Sequence, residues 1–194
     1  MAFLRALSDE QEPVLRGEGV TLRPPAGGDF EEWSDLRGRS RAFLKPWEPI
    51  WPADDLTRSA FRRRLRRYAD ERRSDSAYCF FVFGSESSLL LGGLTLSNIR
   101  RGVAQSCTLG YWMGEQFAGK GHMTAAVRAV VPFVFDRLAL RRIEAACLPT
   151  NTASIRLLEK VGFVREGYAR QYLCIDGIWQ DHLLFALLRD DGLR

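Results

Sequence analysis

The chain has 194 residues, 46% hydrophobic and 27% charged, with a formal net charge of +4. That length suffices for one domain with a real core, and no stretch approaches the ~20 consecutive apolar residues of a membrane-spanning helix. Four widely spaced cysteines (Cys79, Cys107, Cys147, Cys174) and only two histidines (His122, His182) argue against a zinc or histidine-based metal centre and predict free thiols in a reducing cytoplasm.

Residues 1–14 contain Asp9, Glu10 and Glu12 but no long apolar run, so they read as an extension without a secretory signal, ahead of a single domain over 15–190. Val20–Arg23 is a short strand closed by Pro24-Pro25. Asp29 is placed to cap a helix to about Arg39, with Phe30, Trp33 and Leu36–Arg37 placing apolar groups on one face. Residues 43–52 hold three prolines and two tryptophans, which excludes a regular helix or central strand. So much apolar surface in a loop must pack on the core or on a ligand. Asp54 or Asp55 is placed to cap a second helix to about residue 73, its apolar stripe being Phe61, Leu65, Tyr68 and Ala69. Residues 77–83 and 89–96 read as paired strands, and Ser106–Met113 continues the meander.

After a glycine-punctuated loop, Met123, Val127, Val130, Val134 and Leu138 recur at helical spacing, with Pro132 predicting a kink or a lost hydrogen bond. Residues 142–148 form a strand, and Pro149-Thr150-Asn151 turns into a helix over 152–161 that Gly162 stops. Two final strands, 168–175 and 179–188, meet at the hairpin pair Asp176-Gly177. An antiparallel meander joined to a strand–helix–strand unit is an α+β fold with a mixed, mostly antiparallel sheet and flanking helices.

Two stretches carry chemistry. The loop Gln116-x-x-Gly119-x-Gly121 precedes a helix; glycine admits positive φ and close backbone approach, and unpaired N–H groups backed by the helix dipole attract anions. A diphosphate suits it, a plain turn being the alternative. Residues 58–73 hold eight arginines against Asp70 and Glu71, +6 locally, so the remainder carries −2. Without interleaved aromatics, this helix reads first as a solvated face and second as a weak RNA contact through phosphates.

The element order, Gln116-x-x-Gly119-Lys120-Gly121 after one strand, and Asn151-Thr152-Ala153-Ser154 with Glu159-Lys160-Val161-Gly162-Phe163 after the next resemble the GCN5-related N-acetyltransferases over roughly residues 15–190. Phe43-Leu44-Lys45-Pro46-Trp47-Glu48-Pro49 and residues 97–102, 166–173 and 175–182 are most similar to the RimJ branch of ribosomal-protein alanine N-acetyltransferases. The resemblance implies the acyl-CoA N-acyltransferase fold, acetyl-CoA as cosubstrate, no metal, and direct attack by a primary amine. The first reading of that amine is the N-terminal α-amine of a protein beginning with Ala or Ser, ribosomal or other. The alternatives are a small amine such as an antibiotic or metabolite, or a CoA-binding or RNA-associated assembly factor with little turnover.

By the same resemblance, Gln116, Phe117, Ala118, Gly119, Lys120, Gly121, His122, Met123 and the Thr124 hydroxyl take the diphosphate. Tyr111, Trp112 and Met113 take the pantetheine arm as an added strand, aided by Asn151, which also reads as a helix N-cap. Ser154 stands where the family places a hydroxyl beside the acyl sulfur, to hydrogen-bond or protonate the departing thiolate. Ser106–Met113 holds no carboxylate, which leaves Glu48, Asp176, Asp181 and His182 as candidate bases. Glu48 ranks first, as base or as anchor for the charged amine. Phe43, Leu44, Trp47, Asn98 and Tyr172 are expected to line the acceptor mouth. Monomer and homodimer both stay open.

Overall fold

A computed structural model describes residues 12–191; residues 1–11, most of the expected extension, lie outside the described residues. The strands are β1 (Leu15–Gly17), β2 (Val20–Arg23), β3 (Tyr78–Gly84), β4 (Leu90–Arg100), β5 (Ser106–Met113), β6 (Arg142–Cys147), β7 (Val164–Ile175) and β8 (Ile178–Leu188). They form one sheet in the order β1-β2-β3-β4-β5-β6-β8-β7. The helices are α1 (Phe30–Arg39), α2 (Arg41–Leu44), α3 (Arg58–Arg73), α4 (His122–Pro132) and α5 (Thr152–Val161).

Side-chain alternation along the strands feeds two cores on opposite faces. In β3, Phe80 and Val82 join the core under α4 and α5, with Val127, Val130, Ile143, Leu158 and Phe185. Phe81 and Phe83 join the core under α1 and α3, with Phe30, Trp33, Leu36 and Phe61. Phe61 is 1% exposed and lies 4.8 Å from Trp33 and 5.6 Å from Phe30, ring to ring. It fastens α3 to the sheet, and truncating so buried a ring to alanine costs about 3–5 kcal/mol.

The feature that makes a site is a parting of strands. Among the described residues only β5 and β6 run parallel, and their pairing stops at Leu109↔Ala145. Beyond it, β5 continues to Met113 bonded to β4, while β6 continues to Cys147 bonded to β8. Residues 110–113 therefore have no strand partner on that side, and a wedge opens in the middle of the sheet.

Several local expectations are corrected. Asp29 does stand at the N-cap of α1, but its side chain makes no cap bond; its carboxylate holds Arg23 at 2.6 and 2.8 Å and the Ala26 N–H at 2.7 Å. Thr57, not Asp54 or Asp55, caps α3 by accepting from the Ala60 N–H. The two aspartates pair instead with Arg63 and Arg64. Residues 41–47 are helical after all, as one α-turn followed by the 3-10 turn Lys45–Trp47. Pro46 stands in the first positions of that turn, where no donor is missed. At Pro132 the α-helix ends and a π-helical turn, Phe133–Arg137, follows, as a proline in the helix leads one to expect.

Candidate active site

At the mouth of the wedge, Gly119 and Gly121 have φ of 74° and 85°. No atom lies within 4 Å of a Cβ built on either, so conformation, not crowding, is what calls for glycine. Gly121 is the N-cap of α4 and offers no side-chain cap. The backbone N–H groups of His122, Met123 and Thr124 thus lack that internal partner and can donate to an anion. Met123 itself is buried in the core and anchors α4, while Lys120 stands exposed beside the loop. Gln116 and Ala118 flank Phe117, which packs against both cores where the strands part. The free edge of 110–113, the positive-φ glycines and the uncapped helix start fit the amide-rich arm and diphosphate of a CoA thioester.

Inside the wedge, Tyr111 and Met113 pack toward the α4–α5 core and Trp112 toward the α1–α3 core. Asn151 caps α5, its Oδ1 accepting from the Ser154 N–H at 3.1 Å, which leaves its amide NH₂ for another partner. That cap fixes the first turn of α5, and Ser154 Oγ comes to 2.6 Å from Tyr111 Oη. Burial drives the Tyr111 phenol well above its usual range, although the Ser154 hydrogen bond works the other way. Cys147, at the end of β6, has its thiol raised by burial, with neighbouring Ser154 working the other way. The wedge therefore holds a neutral Tyr–Ser–Cys cluster at its blind end.

On the opposite face, Glu48 is held by three hydrogen bonds. Its two oxygens accept from Arg37 at 2.7 and 2.8 Å, and Oε2 also accepts from the Trp51 indole at 2.7 Å. Arg37 is buried, its guanidinium 4.1 Å from the Trp51 ring and 4.8 Å from the Trp112 ring. The Glu48 carbonyl accepts from the Asp176 N–H at 2.9 Å, Lys45 pairs with Asp176 at 3.6 Å, and Ile50 lies against Gly177. The aromatic loop is thus docked on the β7–β8 hairpin. Phe43 and Trp47 are half-buried on that loop. Leu44, 3% exposed, supports the loop from beneath and does not line a mouth. Asn98, in the register shift just past the Ser97↔Thr108 pair, donates from Nδ2 to Thr108 Oγ1 at 3.4 Å, on the closed side of the wedge.

Tyr172 is exposed on a bulge of β7 where Gln171 has φ 47°. Asp181 holds the bulge by accepting the Gln171 N–H at 2.7 Å, and Tyr172 stands edge-on to His182, centroids 5.8 Å apart. His182 is 3% exposed and its Nδ1 meets the Gln180 carbonyl at 2.9 Å. A carbonyl only accepts, so Nδ1 carries the hydrogen of that contact. Because Leu183 pairs with Cys147 and belongs to the α4–α5 core, its neighbour His182 faces the α1–α3 side with Trp112. Sequence reading placed Arg37 on the apolar face of α1 but did not find its pairing with Glu48, although an arginine on such a face signals a buried acid partner.

The arginine helix is largely neutralised. Arg58, Arg63, Arg64, Arg67, Arg72 and Arg73 pair with Glu31, Asp54, Asp55, Glu71, Glu12 and Asp70. A cleft of about 740 Å³ between residues 14–18 and α4 lies away from the wedge; its lining includes Leu15, Arg16, Glu18 and Phe133 but no paired hydroxyls. Among the described residues, no three His, Cys, Asp or Glu side chains stand together to hold a metal ion. No helix there is long and apolar enough to cross a membrane.

Residues 20–164 match the family model described as an acetyltransferase (GNAT) domain. The probable N-acetyltransferase YjcK of Bacillus subtilis (strain 168) is 38% identical over 178 residues, 92% of this chain and 98% of that protein. The ribosomal protein uS5-alanine N-acetyltransferase of Escherichia coli (strain K12) is 36% identical over 165 residues, 84% of this chain and 85% of its own length. The structure of Mycobacterium smegmatis RimJ in complex with CoA-disulfide superposes with a TM-score of 0.85 at 32% identity, covering 92% of this chain and 87% of that one. With a parted eight-stranded sheet and matches along nearly its whole described length, the chain belongs to the GNAT acetyltransferase family and is an N-acetyltransferase of the RimJ type.

Proposed function

We propose that this acetyltransferase acts on the N-terminal α-amine of a protein beginning with Ala or Ser, a ribosomal protein being the first candidate. The observation that carries the reading is Glu48, a carboxylate fixed by Arg37 and Trp51 between the aromatic loop and the final hairpin. A carboxylate accepts about four hydrogen bonds, so three from the protein leave one on Oε1 for an entering ammonium. Taking up a proton would weaken its charge-assisted bonds to Arg37, so Glu48 is an anchor and not a base. The name of the Escherichia coli relative supports the choice of acceptor.

Acetyl-CoA supplies the activated acetyl group. The uncapped start of α4 and Gly119–Gly121 hold its diphosphate, and residues 111–113 with Asn151 hold its arm. Ser154 donates to the leaving sulfur on one face of the sheet, while the amine approaches from the face of Glu48 and Trp112. An α-amine has a pKa near 7.7–8, so about a tenth or more is already unprotonated at neutral pH. Its proton passes to solvent.

Steady-state assays on an Ala-start peptide, the same peptide N-terminally blocked but carrying lysine, and a set of aminoglycosides test the acceptor. The Ala-start peptide is expected to show the highest kcat/KM, rising with pH to about 8 as its amine loses its proton. Preference for the blocked peptide or for an aminoglycoside overturns the α-amine reading.

A further inference from the structure

We infer that Tyr111 is a positioning residue for the leaving-group step: its phenol donates to Ser154 Oγ and thereby turns the serine's only hydroxyl hydrogen toward the departing CoA sulfur. The inference rests on the reading that Ser154 assists that sulfur. It assigns to the Tyr111 side chain a task separate from the strand-edge role of its backbone.

The argument is one of counting donors. Ser154 Oγ carries one hydrogen and lies between two side chains, Tyr111 Oη at 2.6 Å and the Cys147 thiol. In the pair either hydroxyl can donate. If Ser154 donated to Tyr111 it would present only lone pairs to a developing thiolate, which repels them. The productive arrangement is the reverse, Tyr111 O–H to Ser154 Oγ and Ser154 O–H to sulfur. Tyr111 sustains it because it packs against the α4–α5 core and its phenol, raised by desolvation, keeps its proton across the working pH range. A donor behind a donor also polarises the second bond, by about 10–30% per link. Asn151 holds the Ser154 backbone N–H, so the serine cannot swing away without uncapping α5.

The step balances without a proton from either hydroxyl. The nitrogen–carbon bond forms as the carbon–sulfur bond breaks, the electron pair leaves on sulfur, and the proton lost by nitrogen goes to solvent. Ser154 and Tyr111 end as they began, with the thiolate hydrogen-bonded by Ser154.

Two measurements test this on Tyr111→Phe, which removes one oxygen and keeps the ring. In the first, free CoA is bound and its thiolate absorbance titrated. A free thiol ionises near pH 8.5; the bound thiol is expected to ionise lower in the unsubstituted protein, and about one pH unit higher in Tyr111→Phe than in that protein. In the second, turnover is measured for Tyr111→Phe, Ser154→Ala and the double variant, with folding checked by thermal melting. Tyr111→Phe is expected to lower kcat about tenfold with little change in the KM for acetyl-CoA, and to have no further effect when Ser154 is already alanine. Equal slowing in both backgrounds, or an unmoved thiol titration in Tyr111→Phe, overturns the role of Tyr111. An Ser154→Ala variant with unchanged turnover overturns the Ser154 reading instead, so the two failures are distinct.

Discussion

Replacing Glu48 by Gln should destabilise the fold and weaken acceptor binding, with little change in the chemical step. Glu48 neutralises an arginine that is buried between Trp51 and Trp112 and whose Nε already lacks a partner. Removing one member of a buried pair costs about 3–5 kcal/mol because the other charge is left unpaired. Glutamine keeps the shape and part of the hydrogen bonding, so about 3 kcal/mol is the fitting figure. For a chain of this length each kcal/mol moves Tm by about 2–4 °C, which predicts a fall of about 6–12 °C. With the ammonium anchor gone, KM for an Ala-start peptide should rise about tenfold while kcat holds within about threefold. Scanning calorimetry and steady-state kinetics on the same preparation decide. An unchanged Tm with kcat reduced ~10²–10⁴-fold is what loss of a free general base would give, and it would refute the anchor argument.

Gly119→Val or Gly121→Val should lower acetyl-CoA affinity about tenfold or more in calorimetric titration, since a β-branched residue at φ of 74° or 85° costs ~1–3 kcal/mol or forces the loop to move. Arg62→Glu with Arg66→Glu, the two exposed arginines of α3 without an ion pair among the described residues, should leave peptide turnover within twofold; a large fall would make α3 part of the reactive site. Burial pushes the Cys107 thiol up to about 12, so alkylation of the folded protein at pH 8 should spare it in mass spectra. The same shift makes stability fall with rising pH. From about pH 8.5, where an unfolded-chain thiol ionises, to about 12, the native state binds more protons than the unfolded state, and Cys107 alone lowers stability by about 1.4 kcal/mol per pH unit.

What the sequence revealed was what local rules govern. Gly119, Gly121 and Gly162 stood out because each occupies a left-handed conformation that few other residues tolerate. Asn151 could be read as a cap because the bond it makes spans three residues. The β1 hairpin went unseen because three residues, Leu15–Gly17, carry too little alternation to register. Asp29, Asp54 and Asp55 were read as caps although arginines claimed all three; a carboxylate near a helix start has both options, and tertiary pairing chose. Glu48 with Arg37 and Tyr111 with Ser154 lie 11 and 43 residues apart. No sequence period connects such pairs; the docking of the loop on the hairpin and the parting of β5 from β6 bring them together.

The central claim, acetyl transfer to protein N-termini, is tested most directly by mass spectrometry of cellular N-termini with and without this protein. The account predicts at least one Ala- or Ser-start protein that is acetylated only when the protein is present, and that loses the modification when Ser154 is replaced by alanine. An N-terminal profile unchanged by deletion, with acetyl groups missing instead from lysine side chains or from small amines, would contradict it.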